Sequence, residues 1–176
     1  MVVCWGDEDP MTTVEPIGHI KAVQFGANVR DYGLRDRDAV LSLLSFLPRL
    51  YPSGLDWLER RLTQIEQRRS HCTLAVVHSR IAGILIDTPK GLRSSKISTF
   101  FVTRQDEGRG IGSCLFEASA RRWHAVGVDN IHVTVASCRR QKIVPFLLTK
   151  GFTESAIIAE RYGPNRDEIV YSLKLN

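Results

Sequence analysis

Apolar positions along the chain fall into blocks with two different periods. Val40, Leu43, Leu44 and Leu47 recur at the spacing that lines one face of a helix, predicting one over 37–47. Pro48 and the cluster Tyr51-Pro52-Ser53-Gly54 are expected to end it. Leu55, Leu58, Leu62 and Ile65, with charged residues between them, predict a second helix over 55–69, with Ser53 at its N-cap. The period then shortens. Residues 72–78, 81–87 and 96–102 read as strands, the first two joined through Ser79-Arg80 and the third rich in β-branched and aromatic residues. A helix over 110–126 buries Ile111, Leu115 and Ala118 and stops at Gly127. Residues 131–136 alternate strictly, 139–150 form a helix ended by Gly151, and strands near 157–162 and 168–175 flank the turn Gly163-Pro164-Asn165. Upstream, 28–32 reads as a first strand. Residues 1–26 read as an N-terminal extension with a short strand around 19–25, leaving 27–176 as one domain.

The resulting order, β-α-α-β-β-β-α-β-α-β-β, fits neither a barrel nor a simple doubly wound sheet. Hairpins flanking central βα units imply an α/β protein whose mixed sheet carries helices on both faces. The 176 residues suffice for one domain with a sizeable core. No apolar run approaches the ~20 residues of a membrane span, and the acidic start MVVCWGDEDP lacks the pattern of a secretory signal. The expected compartment is the cytoplasm; Met11 offers an alternative start. Cys4, Cys72, Cys114 and Cys138 show no zinc-ligand spacing and read as free thiols. The net charge of +5 suits an anionic ligand, and equally RNA. The basic pairs are scattered, however, and read mainly as solvated helix surface.

The chemically informative stretch is Phe100-Phe101-Val102-Thr103-Arg104-Gln105-Asp106-Glu107-Gly108-Arg109-Gly110-Ile111-Gly112-Ser113. A strand ends, a polar loop follows, and a Gly-rich turn opens a helix. The first amides of a helix lack partners and sit at its positive end, so a phosphate binds there. Glycines let the backbone approach closely, and Arg109 adds a charged donor. The Gly-Lys-Ser/Thr of a Walker loop is absent, and the glycine spacing and position do not match a dinucleotide fingerprint.

At these residues the sequence resembles the GNAT N-acyltransferase superfamily. Its pattern is a valine-ended strand, R/Q-x-x-G-x-G/A opening the next helix, and a later helix closing on Gly-Phe. The counterparts are Val102, Glu107 to Gly112, and Gly151-Phe152, over roughly residues 28–175. The resemblance implies a central, mostly antiparallel mixed sheet and acetyl-CoA as co-substrate. The pyrophosphate would lie on the amides of Gly108, Arg109, Gly110, Ile111, Gly112 and Ser113. The pantetheine arm would run along Phe100, Phe101 and Val102, with an N–H near Phe101 polarising the thioester carbonyl. Glu107 departs from the family's Gln or Arg and places a carboxylate near a diphosphate.

The family's usual acid–base positions fall on Leu147, Lys96 and Val135, none of which suits the task. The substitutes are Tyr162 as acid, Thr99 or Ser98 to position a water, and His132 as base. A thiolate leaving group, with a thiol pKa of ~8.5, needs little help. Cys138 as a covalent relay has no other support. The expected function is acetyl transfer to an amine, whether a small molecule, a protein amine or an aminoacyl-RNA, by direct attack. The alternatives are a catalytically impaired CoA- or RNA-binding module and a toxin-like acetyltransferase acting on charged tRNA.

Overall fold

The structure, a computed structural model, describes residues 3–5, 26–51, 53–161, 163–164 and 167–175, with backbone alone at 3–5 and 138. The expected strand around 19–25 lies outside these residues. Among the described residues, eight strands form one sheet. β1 spans Val3–Trp5, β2 Asn28–Asp31, β3 His71–Val77, β4 Arg80–Pro89, β5 Ser94–Val102, β6 Asn130–Ala136, β7 Thr153–Ile158 and β8 Glu168–Lys174. Seven of them run in the order β2-β3-β4-β5-β6-β8-β7, and β1 adds to β5. Only β5–β6 and β1–β5 pair in parallel; every other neighbour is antiparallel.

Five α-helices among the described residues cover the two faces. α1 (Arg37–Leu43), α2 (Leu47–Leu50) and α3 (Gly54–Glu66) precede β3; α4 (Ile111–Ala125) links β5 to β6; α5 (Arg140–Thr149) follows β6. Two apolar clusters result, one on each side of the sheet. Leu85, Phe100, Ile111, Leu115, Trp123, Val133, Ile143, Leu147 and Tyr171 belong to the cluster under α4 and α5. Val40, Leu44, Leu47, Leu58, Leu62, Ile84, Ile86 and Phe101 belong to the one under α1 to α3. Leu85 and Phe100, paired across β4 and β5, go to the first; their neighbours Ile84 and Phe101, also paired, go to the second. That split is the two-residue side-chain alternation of a strand.

Several boundaries differ from the periodicity. The helix expected over 37–47 stops at Leu43, and Pro48 opens α2 rather than ending its predecessor. A proline in a first turn loses no hydrogen bond, because that N–H has no intrahelical partner anyway. The helix expected to reach Arg69 ends at Glu66, where Arg68 turns left-handed at φ 58°. Ser53 stands at the N-cap of α3 without a side-chain cap bond. The β3–β4 connection is His78-Ser79, one residue earlier than expected, with φ of 46° and 65°. Two positive φ values define the hairpin turn that follows strand twist. β7 begins four residues before the expected 157. Residues 153–157 are exposed on this edge strand and carry no alternation to betray it.

Inside the sheet Asp87 is buried beneath α4. It accepts from Arg122 of α4 and from Ser95 Oγ (2.9 Å), while Arg122 also donates to Thr73 Oγ1 (3.0 Å). This network ties β3, β4, β5 and α4 together. Removing one partner of a buried ion pair strands the other charge. Asp87→Ala is therefore expected to lower stability by about 3 kcal/mol, read as a reduced urea midpoint with unchanged slope.

Candidate functional site

β5 is the strand on which the site is built. One of its edges pairs with β4 from Val102 back to Ser95, with a register shift that leaves Ser98 without an opposite on β4. Its other edge pairs with β6 only over Ser94–Ile97. Beyond Ile97 the two parallel strands diverge, and Phe100–Val102 pair instead with Val3–Trp5. Ser98 and Thr99 thus sit in a notch between the two pairings. Thr99 is fully buried, and its Oγ1 has no hydrogen-bond partner among the described residues. Ser98 Oγ meets Thr88 Oγ1 at 3.0 Å, which in turn meets Ser70 Oγ at 3.4 Å.

The chain leaves β5 at Val102 and turns through 104–106 into the glycine segment. Gly108 and Gly110 have φ of 72° and 78°, a region where a Cβ would clash with the backbone. Gly110 is the N-cap of α4, so no side chain caps that terminus. The start of a four-turn helix is thereby left for an external acceptor. Gly112 faces inward: a Cβ there would stand 3.3 Å from Phe100 and 3.5 Å from Phe146. This glycine brings α4 close against β5 and α5. The side chain of Ile111 is in the core, so its contribution to a ligand is restricted to backbone. Ser113 is half-buried and Arg109 is 47% exposed on its side chain.

Asp106 fixes this turn, and the sequence reading passed over it. Its carboxylate is 1% exposed and accepts a forked pair of bonds from Arg80, at 2.6 and 2.9 Å, and a third from Thr103 Oγ1 at 2.5 Å. Arg109 stands 3.6 Å away. The Arg80 bonds, with that of Thr103, hold the carboxyl below its ordinary value against the opposing cost of burial. The signal in the sequence was Thr103-x-x-Asp106, a short polar side chain returning to its own loop.

The remaining candidates separate. Leu147 and Val135 are core residues under α4 and α5. Lys96 and His132 are register partners on β5 and β6, at the closed end of the notch. Burial lowers the pKa of both, and for His132 the nearby Lys96 adds to the effect. Both effects favour the neutral imidazole, and it stands at the paired end of β5. Glu168 is buried on β8 and lies 3.4 Å from Arg161 Nε. It acts on Lys96 in the opposite sense to burial. Trp123 is a core residue, and Trp57 carries the Arg61 guanidinium 5.3 Å from its ring centre. Tyr162 lies outside the described residues, as does the Cys138 side chain.

The arrangement is a helix terminus without a side-chain cap, placed beside the stretch of β5 that β6 leaves. It matches a known family: the model of the acetyltransferase (GNAT) domain fits residues 54–163. The chain belongs to that family and is by membership an acyltransferase. No curated protein matches it in sequence. Among solved structures it is similar to the ribosomal-protein-S18-alanine N-acetyltransferase of Escherichia coli, with a TM-score of 0.72 and 16% identity, covering 85% of this chain and 94% of that one. It is also similar to a GNAT acetyltransferase of Elizabethkingia anophelis with acetyl-CoA bound, at 0.67 and 15%, covering 85% and 98%. A third is the IAA acetyltransferase of Bacillus cereus, at 0.66 and 15%, covering 85% and 100%. At such identities the likeness establishes the fold.

The depressed Asp106 pKa has a consequence for stability. Its ion pair with Arg80 stabilises the fold above the ordinary carboxylate value of 3.8 and is lost as pH falls through the lower, folded-state value. Asp106→Asn is expected to be less stable at neutral pH and to have a flatter stability profile below about pH 4, measured by urea unfolding at a series of pH values. Asp36, also depressed by an arginine, titrates in both proteins and cancels in the comparison.

Proposed function

We propose that this chain transfers an acetyl group from acetyl-CoA to an amine by direct attack, with residues 27–176 as the catalytic domain and the cytoplasm as its compartment. The observation that carries this reading is the glycine-capped start of α4 lying directly after the unzipped half of β5. A helix N-terminus without a side-chain cap suits a pyrophosphate, and Gly108, Gly110, Ile111, Gly112 and Ser113 supply the amides, that of Arg109 being directed at Asp106 O at 3.4 Å. Arg109 adds charge, while the Asp106 carboxylate, already bonded by Arg80, is neutralised within the fold. Glu107 is the one departure from the family's pattern at this turn, and it is half-buried there.

From that anchor the arm of the cofactor would run down β5, pairing with the backbone of Phe100, Phe101 and Val102. The thioester would then reach the notch at Ser98–Thr99, where backbone groups of β5 are not taken up by β6. There an amide near Phe101 polarises the carbonyl as negative charge develops on its oxygen. The neutral amine bonds to the acyl carbon, the C–S bond breaks, and the amine's proton leaves for solvent or the thiolate. Orientation supplies much of the rate, since a thiolate departs readily near neutral pH. Thr99 holds a water or the incoming amine through its unpartnered hydroxyl, and Tyr162 is the candidate acid. Acceptors compatible with the net charge of +5 are a small amine, a protein amine or an aminoacyl-RNA.

A second reading, a module that binds CoA or RNA without turnover, is favoured by the burial of Leu147 and Val135 where relatives place acid–base groups. Turnover of any amine separates the two.

Calorimetric titration with acetyl-CoA is expected to give saturable binding, weakened at least about tenfold in Gly110→Trp. The indole would occupy the phosphate position, and the left-handed φ would strain any side chain. Absence of binding to the unaltered chain would overturn the enzyme reading. Thr99→Val replaces an unpartnered buried hydroxyl with a near-isosteric methyl. It is expected to raise stability by about 1 kcal/mol while lowering turnover about tenfold, measured by urea unfolding and thiol release. Undiminished turnover would remove Thr99 from the mechanism.

A further inference from the structure

The β5 edge that faces β6 is occupied twice in succession. β6 takes Ser94–Ile97. Val3–Trp5 then takes the next stretch in parallel, with Val3 opposite Phe100, Cys4 opposite Phe101 and Trp5 opposite Val102. α5 lies against the inserted strand as well. These three β5 residues are the ones the cofactor arm would use in the function proposed above. A backbone N–H or C=O on one edge of a strand serves one partner at a time. The arm of coenzyme A is an extended chain carrying two amides. A peptide strand presents the same donors and acceptors at similar intervals, so the two occupants are chemically alike.

We propose that Val3–Trp5 is a built-in competitor for the acyl-CoA arm, so that the N-terminal strand must leave β5 before the cofactor seats fully. This inference rests on the cofactor placement above. A strand of three residues is shorter than the usual five or six and is an easily opened unit of the sheet. The closed form still reduces apparent affinity by the fraction of molecules in which the edge is free. Cofactor binding and release of the N-terminus are then two sides of one equilibrium. Anything that captures the released segment strengthens cofactor binding, and anything that pins it in place weakens that binding.

The experiment uses the full chain and acetyl-CoA as the probe. Val3→Pro combined with Cys4→Pro removes two backbone donors from the inserted strand and leaves the domain unaltered. Calorimetry is expected to show the double variant binding acetyl-CoA about tenfold more tightly than the parent, corresponding to an open fraction of about one-tenth. Hydrogen exchange on the parent chain supplies a readout that needs no variant: the amides at 3–5 are expected to exchange faster when acetyl-CoA is saturating. Equal or weaker binding by the variant, with exchange at 3–5 unchanged by ligand, would overturn the competitor while leaving the cofactor site intact. Failure of both proteins to bind acetyl-CoA would instead overturn the cofactor placement, and the competitor with it.

Discussion

The parting of β5 from β6 is the constraint on which the rest of the molecule depends. Two parallel neighbours joined through α4 would ordinarily pair along their full length. Here they share four residues, and the outer half of β5 keeps its β4 partner while its other edge passes from β6 to Val3–Trp5. An edge opened within a sheet is costly unless something satisfies its polar groups. The fold therefore creates a slot that calls for an extended, amide-bearing occupant. The glycine turn follows from the same strand, so an uncapped helix terminus and a strand edge released by its neighbour come from one continuous run of chain.

The turn is held in shape from outside itself. Arg80 begins β4, Asp106 ends the loop after β5, and their forked ion pair joins the two at the mouth of the site. Thr103, whose own N–H donates to Ala82 O at 2.9 Å, donates its hydroxyl to the same carboxylate. A loop rich in glycine is entropically expensive to order. These contacts set its path before any ligand arrives, which is the usual way a binding site limits the entropy lost on association.

Most elements were legible because packing imposes their periods. The strands at 72–78, 81–87, 96–102 and 131–136 and the helices before and after them announce themselves through buried faces. The differences have separate causes. β7 is exposed along nearly its whole length, so no apolar alternation marks it. β1 is three residues long, too short for any period to register. Pro48 was given the role of a terminator although it serves equally well as the first turn of a helix. Within the site, the glycines were visible because only backbone freedom explains them. Asp106 was not, because its partner Arg80 lies 26 positions away along the chain and the fold alone brings them together. Lys96 and Glu168 likewise acquire meaning only through a register between strands that the sequence does not print.

The sheet also separates two duties. Residues that shape the glycine turn, including Ile111, Leu115 and Phe100, are rooted in the cluster beneath α4 and α5. The helices α1 to α3 rest on the opposite face, against Ile84, Ile86 and Phe101. Substitutions on one side reach the other only through the strands between them, and strands transmit changes in side-chain volume poorly across their thickness. Such a layout lets selection remodel the face that carries α1 to α3, generation after generation, without eroding the turn at the head of α4. Change on one face of the sheet and constancy at the head of α4 are thereby compatible within a single fold.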